Sequence, residues 1–105
     1  MSGISTHVLD ITAGKPAAGI SVRLLRDEDE IGSGVTNSDG RCSALVGDGK
    51  SLDEGIYRLV FDIATHFPQS FYPEIAISFR VTDPSSHYHV PVLLSPFGYT
   101  TYRGS

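Results

Sequence analysis

Apolar and polar side chains alternate along most of this chain. Over residues 56–63, Tyr57, Leu59, Phe61 and Ile63 fall on one face, with Arg58 and Asp62 on the other. In the stretch Glu74–Val81, Ile75, Ile77, Phe79 and Val81 oppose Glu74, Ser78 and Arg80, and Ile20, Val22 and Leu24 oppose Ser21 and Arg23. Successive side chains of extended backbone point to opposite sides, so a period of two marks strands with one face on a core. Turn-forming clusters separate these runs: Gly14-Lys15-Pro16, residues 27–30, Ser38-Asp39-Gly40, Gly47-Asp48-Gly49 and Asp83-Pro84-Ser85-Ser86. The pattern predicts an all-β fold, a two-sheet antiparallel sandwich of about seven or eight short strands. Only residues 62–67 have room for a short helix, which ends before Pro68 because a residue preceding proline avoids helical geometry. No repeat, linker or low-complexity segment interrupts the pattern, so residues 1–105 read as one domain.

Two strands break the rule of one apolar face. In His87–Ser95, Tyr88, Val90, Val92 and Leu94 share one face, and His87, His89, Pro91, Leu93 and Ser95 share the other. Over residues 4–11, Ile4 and Val8 lie on one face and His7, Leu9 and Ile11 on the other. Strands that are apolar on both faces are usually covered on both. In a two-layer sandwich of this size the second cover comes from another chain, which predicts an oligomer interface that contains histidines.

Charge and composition narrow the partners. Eight basic residues against twelve acidic ones give a net charge of −4. With no Lys/Arg run, a nucleic-acid or anionic-membrane partner is not expected. No apolar run approaches the roughly 20 residues that cross a bilayer. The single Cys42 excludes an intramolecular disulfide and an all-cysteine metal site. With no recognisable leader pattern, a cytoplasmic location is expected. Neither a G-x-S-x-G nucleophile motif nor a glycine-rich phosphate loop after a strand is present.

The histidines carry the candidate chemistry. His7 and His89 each share the non-core face of a strand with a leucine, and imidazoles in a partly dry interface exchange protons near neutral pH. His87 shares that face, and spacing does not choose between it and His89. A zinc site on His87 and His89 lacks a third ligand nearby in sequence, so no metal is expected.

Six ordered blocks resemble the transthyretin superfamily: His7-Val8-Leu9-Asp10 with Gly14-Lys15-Pro16-Ala17, then Asp39-Gly40-Arg41, Gly55-Ile56-Tyr57, Phe71-Tyr72-Pro73-Glu74, and the run from His87 to Pro96. The last block, Tyr102-Arg103-Gly104-Ser105, resembles the terminal signature of that superfamily's 5-hydroxyisourate hydrolase branch. Those hydrolases carry His, Arg and His where the hormone carrier has Lys, Glu and Thr. His7, Arg41 and His89 stand at the matching positions here.

The resemblance implies a transthyretin-like sandwich and a homotetramer with sites at the dimer–dimer interface. It also implies hydrolysis of 5-hydroxyisourate to 2-oxo-4-hydroxy-4-carboxy-5-ureidoimidazoline in urate degradation, without a cofactor. Carried over residue by residue, His7, Arg41, His89 and Ser105 are catalytic, and Tyr102, Arg103 and Gly104 bind substrate. One histidine, His7 for preference, deprotonates water, while the other orients it or donates to the leaving nitrogen. Arg41 and Arg103 hold the substrate and the developing negative charge. Ser105 or its terminal carboxylate fixes the water or anchors Arg41, and Tyr102 walls the slot. Two other classes predict different features. A small-ligand carrier of the same fold expects an apolar channel, which His7, Arg41 and His89 would make polar. An immunoglobulin-type adhesion domain expects a buried Trp and a cystine pair, and this chain has no Trp and one Cys.

Overall fold

The computed structural model describes residues 3–43, 45–46 and 51–105, so the turn expected at Gly47-Asp48-Gly49 lies outside the described residues. Among the described residues there are nine strands: β1 (Gly3–Asp10), β2 (Lys15–Pro16), β3 (Ser21–Arg26), β4 (Asp29–Val35), β5 (Arg41–Cys42), β6 (Gly55–Asp62), β7 (Glu74–Val81), β8 (His87–Ser95) and β9 (Gly98–Thr101). They form two sheets, ordered β2-β1-β8-β9 and β4-β3-β6-β7, with β5 also paired to β1. The alternation places the core between them. Val22, Leu24, Leu59, Phe61, Ile75 and Val81 of the second sheet are buried together with Ile4, Val8, Tyr88, Val90, Val92 and Leu94 of the first. No helix among the described residues is long and apolar enough to cross a membrane.

Three features differ from the expected sandwich. First, β1 and β8 are parallel, in register from Gly3↔His87 to Asp10↔Leu94. Strands joined by a tight hairpin must be antiparallel, but β1 and β8 are separated by six other strands and carry no such constraint. Second, the strand count exceeds eight because β2 and β5 are two-residue pairings on the far edge of β1. Two residues show no period. Third, residues 62–67 form a single turn and no helix. The Phe67 amide donates to the Ile63 carbonyl (2.7 Å), but the next such bond needs an amide on Pro68, which proline lacks. Asp62 closes the turn from outside by accepting from the Thr65 hydroxyl at 2.6 Å.

The turn before β5 fixes one edge of the functional face. The Asn37 side chain accepts from the amides of Asp39 (2.9 Å) and Arg41 (3.0 Å). Gly40 then takes a φ of 75°, and its carbonyl accepts from the Val8 amide at 2.7 Å. A Cβ at Gly40 would lie 2.3 Å from the Val8 carbonyl oxygen, so only glycine lets this turn close against β1. Arg41 is thereby delivered opposite His7.

Candidate active site

Strand register gathers the site on the outer face of the first sheet. The parallel pairing sets Ser5 beside His89 and His7 beside Pro91. The short β1–β5 pairing sets Arg41 beside His7. A bridge between His89 and Gly104 brings the chain's end alongside. His7, Arg41, His89 and Gly104, four of the residues expected from sequence, are thus adjacent in the pairing of four chain segments. His87 lies on the same face, at the start of β8.

The hydrogen bonds define which ring atoms remain open. His7 Nε2 lies 2.8 Å from the Asp39 carbonyl oxygen. A carbonyl only accepts, so Nε2 carries the proton and Nδ1 is the available atom of the neutral ring. His89 is engaged the other way round: its Nδ1 lies 2.8 Å from Ser5 Oγ, leaving Nε2 available. Burial holds the His89 imidazole below the usual histidine range, and the positive charge of Arg41 pushes in the same direction. The neutral form, which has a lone pair to accept a proton, is therefore favoured.

The terminal residues divide between two faces. The β8–β9 register, Val92↔Thr101, continues without slip to His89↔Gly104. Tyr102 and Gly104 therefore belong to the histidine face and Arg103 to the opposite one. The Gly104 amide donates to the His89 carbonyl at 2.8 Å. The Arg103 guanidinium lies 4.6 Å over the Tyr88 ring. It lines an opening of about 290 Å³ with Phe79, Tyr88, His89 and Tyr102, between β7 and the segment after β9. Arg103 thus shares an opening with His89, and Ser105 is an exposed residue one position past the bridge.

Sequence reasoning missed Ser5. Its hydroxyl contacts both His87 Nε2 (2.7 Å) and His89 Nδ1 (2.8 Å). The available signal was its place two residues before His7, which puts both on one face. Its partners depended on a parallel pairing that no local pattern announces. Among the described residues, no group of three or more His, Cys, Asp or Glu side chains is placed to hold a metal ion.

A two-sheet sandwich with this outer-face site is of the transthyretin type. Sea bream transthyretin, solved in complex with thyroxine, superposes with a TM-score of 0.85 at 26% identity, covering 97% of this chain and 94% of that one. A family model described as HIUase/Transthyretin family matches residues 4–104, and the chain belongs to that family. Among curated relatives, 5-hydroxyisourate hydrolase of Deinococcus radiodurans is 42% identical over 98% of this chain and 96% of its own length. The solved structure of Klebsiella pneumoniae 5-hydroxyisourate hydrolase matches with a TM-score of 0.88 at 36% identity, covering all of both chains.

Proposed function

We propose that this chain hydrolyses 5-hydroxyisourate to 2-oxo-4-hydroxy-4-carboxy-5-ureidoimidazoline, a step of urate degradation. The observation that carries the reading is the pair of open ring atoms, His7 Nδ1 and His89 Nε2, on one face beside Arg41. The named hydrolases of Deinococcus and Klebsiella support the choice of substrate. His89, kept neutral by its surroundings, takes a proton from water at Nε2. We place the base on His89 in preference to His7, which gives its Nε2 proton to the Asp39 carbonyl and accepts from and orients the same water at Nδ1. Oxygen attacks the ring carbonyl, and Arg41 holds the oxyanion through its guanidinium. The carbon–nitrogen bond then breaks as His89 returns its proton to the leaving ureido nitrogen. Tyr102 and Gly104 wall the slot, with Ser105 beside them at its rim.

The site is completed in a homotetramer. Leu9 and Leu93 are partly exposed on the histidine face, and Ile11 just beyond β1 is 56% exposed in the single chain. Such a face is stabilised by burial against a second copy. Arg103 joins the site from the opening that it shares with His89 and Tyr102. The reaction is placed in the cytoplasm, consistent with a chain that has one cysteine. The rival carrier reading is separated by running a hydrolysis assay beside a binding assay with thyroxine. Turnover without tight thyroxine binding supports the hydrolase; tight binding without turnover supports the carrier.

A further inference from the structure

Ser5 is 8% exposed, and its hydroxyl touches two histidines at once. A hydroxyl has one proton and two lone pairs, so it can donate to one imidazole while accepting from the other. The result is a directed chain, His89 Nδ1–Ser5 Oγ–His87 Nε2. Its two ends differ. His89 is half-buried beside the reacting centre, whereas His87 is exposed at the first position of β8. Opposite His87 stands Gly3, where even a Cβ would lie 3.2 Å from His87 Nδ1. The absence of a side chain there leaves that nitrogen open to water.

The chemistry requires such a route. Water supplies two protons: one ends on the leaving ureido nitrogen, and the other begins on a new carboxylic acid. Carboxylic acids ionise near pH 4, so at neutral pH the second proton must leave the site in every turnover. A flat substrate bound on this face stands between His89 Nε2 and bulk solvent, whereas His87 lies at the exposed start of β8. Arg41 from β5, His7 from β1 and His87 from β8 all disfavour a lasting positive charge on His89.

We infer that Ser5 and His87 form the proton exit of this site, a deepening that rests on the hydrolytic reading above. The new carboxylic acid gives its proton to His89 Nε2. The His89 Nδ1 proton moves to Ser5 Oγ as the hydroxyl proton moves to His87 Nε2, and His87 releases its Nδ1 proton to water. One proton has left, every group is neutral again, and only N–H and O–H bonds have changed. Once product departs, His89 Nε2 gives its proton to water as Ser5 returns one to His89 Nδ1, His87 Nε2 refills Ser5 and His87 Nδ1 takes a proton from water, which restores the starting tautomers. Ser5 and His87 are positioning and relay residues here, because neither touches the substrate.

The test combines nitrogen-15 NMR of the histidine rings with steady-state kinetics in dilute buffer. In the native protein His89 should be protonated on Nδ1, and Ser5→Ala should shift it towards the other tautomer. Ser5→Ala should lower kcat roughly tenfold with KM little changed, the low end of the effect of outer partners of functional histidines, and Ser5→Thr should stay within about twofold. His87→Ala should show a similar loss that added imidazole restores. His89 protonated on Nε2 in the native protein, Ser5→Ala at native kcat, or a His87→Ala defect that imidazole does not relieve would each overturn the exit. A native protein with the expected tautomer but no turnover overturns the hydrolytic reading instead.

Discussion

Gly104→Ala is the smallest change that should disable the site without touching the core. A Cβ at this position would sit 2.6 Å from His89 Cδ2, 3.3 Å from its Cγ and 3.2 Å from Pro91 Cγ. Carbon atoms pack at about 3.5 Å or more, so ring and strand must separate by roughly 0.9 Å. Pro91 flanks the contact, so relief comes from turning the His89 ring or lifting the terminal segment off β8. Lifting breaks the 2.8 Å bond from the Gly104 amide to the His89 carbonyl, a loss of about 1 kcal/mol. Were that to reach global stability, Tm would fall about 4–8 °C; but residues 102–105 can detach locally, so a smaller shift is expected. Activity is far more exposed, since a displacement near 1 Å at a reacting group costs roughly a hundredfold. Initial rates and thermal melts should therefore show kcat/KM down about a hundredfold with Tm nearly native. Deleting residues 102–105 is the limiting case and should abolish hydrolysis with the assembly retained. Gly98→Ala is the control, as its Cβ would meet only Ser95 Oγ at 3.8 Å. Gly104→Ala at native kcat/KM would refute the claim that the chain's end is part of the site.

Other substitutions test the remaining parts. His7→Ala and His89→Ala should each lower the catalysed rate by about a hundredfold or more, the usual worth of acid–base groups, whereas His66→Ala should leave it near native. His66 sits in the 63–67 turn with its ring 4.5 Å from that of Phe67. Because His89 is held below its ordinary value, kcat/KM should persist at pH 6.5 and fall only at lower pH; Arg41→Gln removes one cause and should move that limb upwards, whatever it does to the maximal rate. The same shift carries a sign for stability. As pH falls through 6.5 the unfolded chain binds the His89 proton before the folded one does, so this group lowers stability on the acid side. Gel filtration should show a tetramer, and a monodisperse monomer with full activity would sink the shared site.

The fold was legible wherever one face of a strand meets the core. Tyr57, Leu59, Phe61 and Ile63 are all buried, as their spacing requires. The double-sided pattern of β1 and β8 correctly singled out the strands that carry the histidines. Their parallel pairing was not legible, because it joins residues 84 positions apart, as between Ser5 and His89. Ser5 was lost for the same reason. The helix was overread at 62–67 because propensity does not count hydrogen bonds, and Pro68 removes the one that a second turn needs. Arg103 lies two residues past β9 with its guanidinium over Tyr88, a placement that the terminal motif alone did not make legible.

The central claim is tested most directly by following the ultraviolet absorbance of freshly generated 5-hydroxyisourate with and without the purified protein. Decay faster than the spontaneous rate, rising in proportion to protein concentration and lost in His89→Ala, is the predicted result. Decay at the spontaneous rate with the folded native protein present would contradict the assignment.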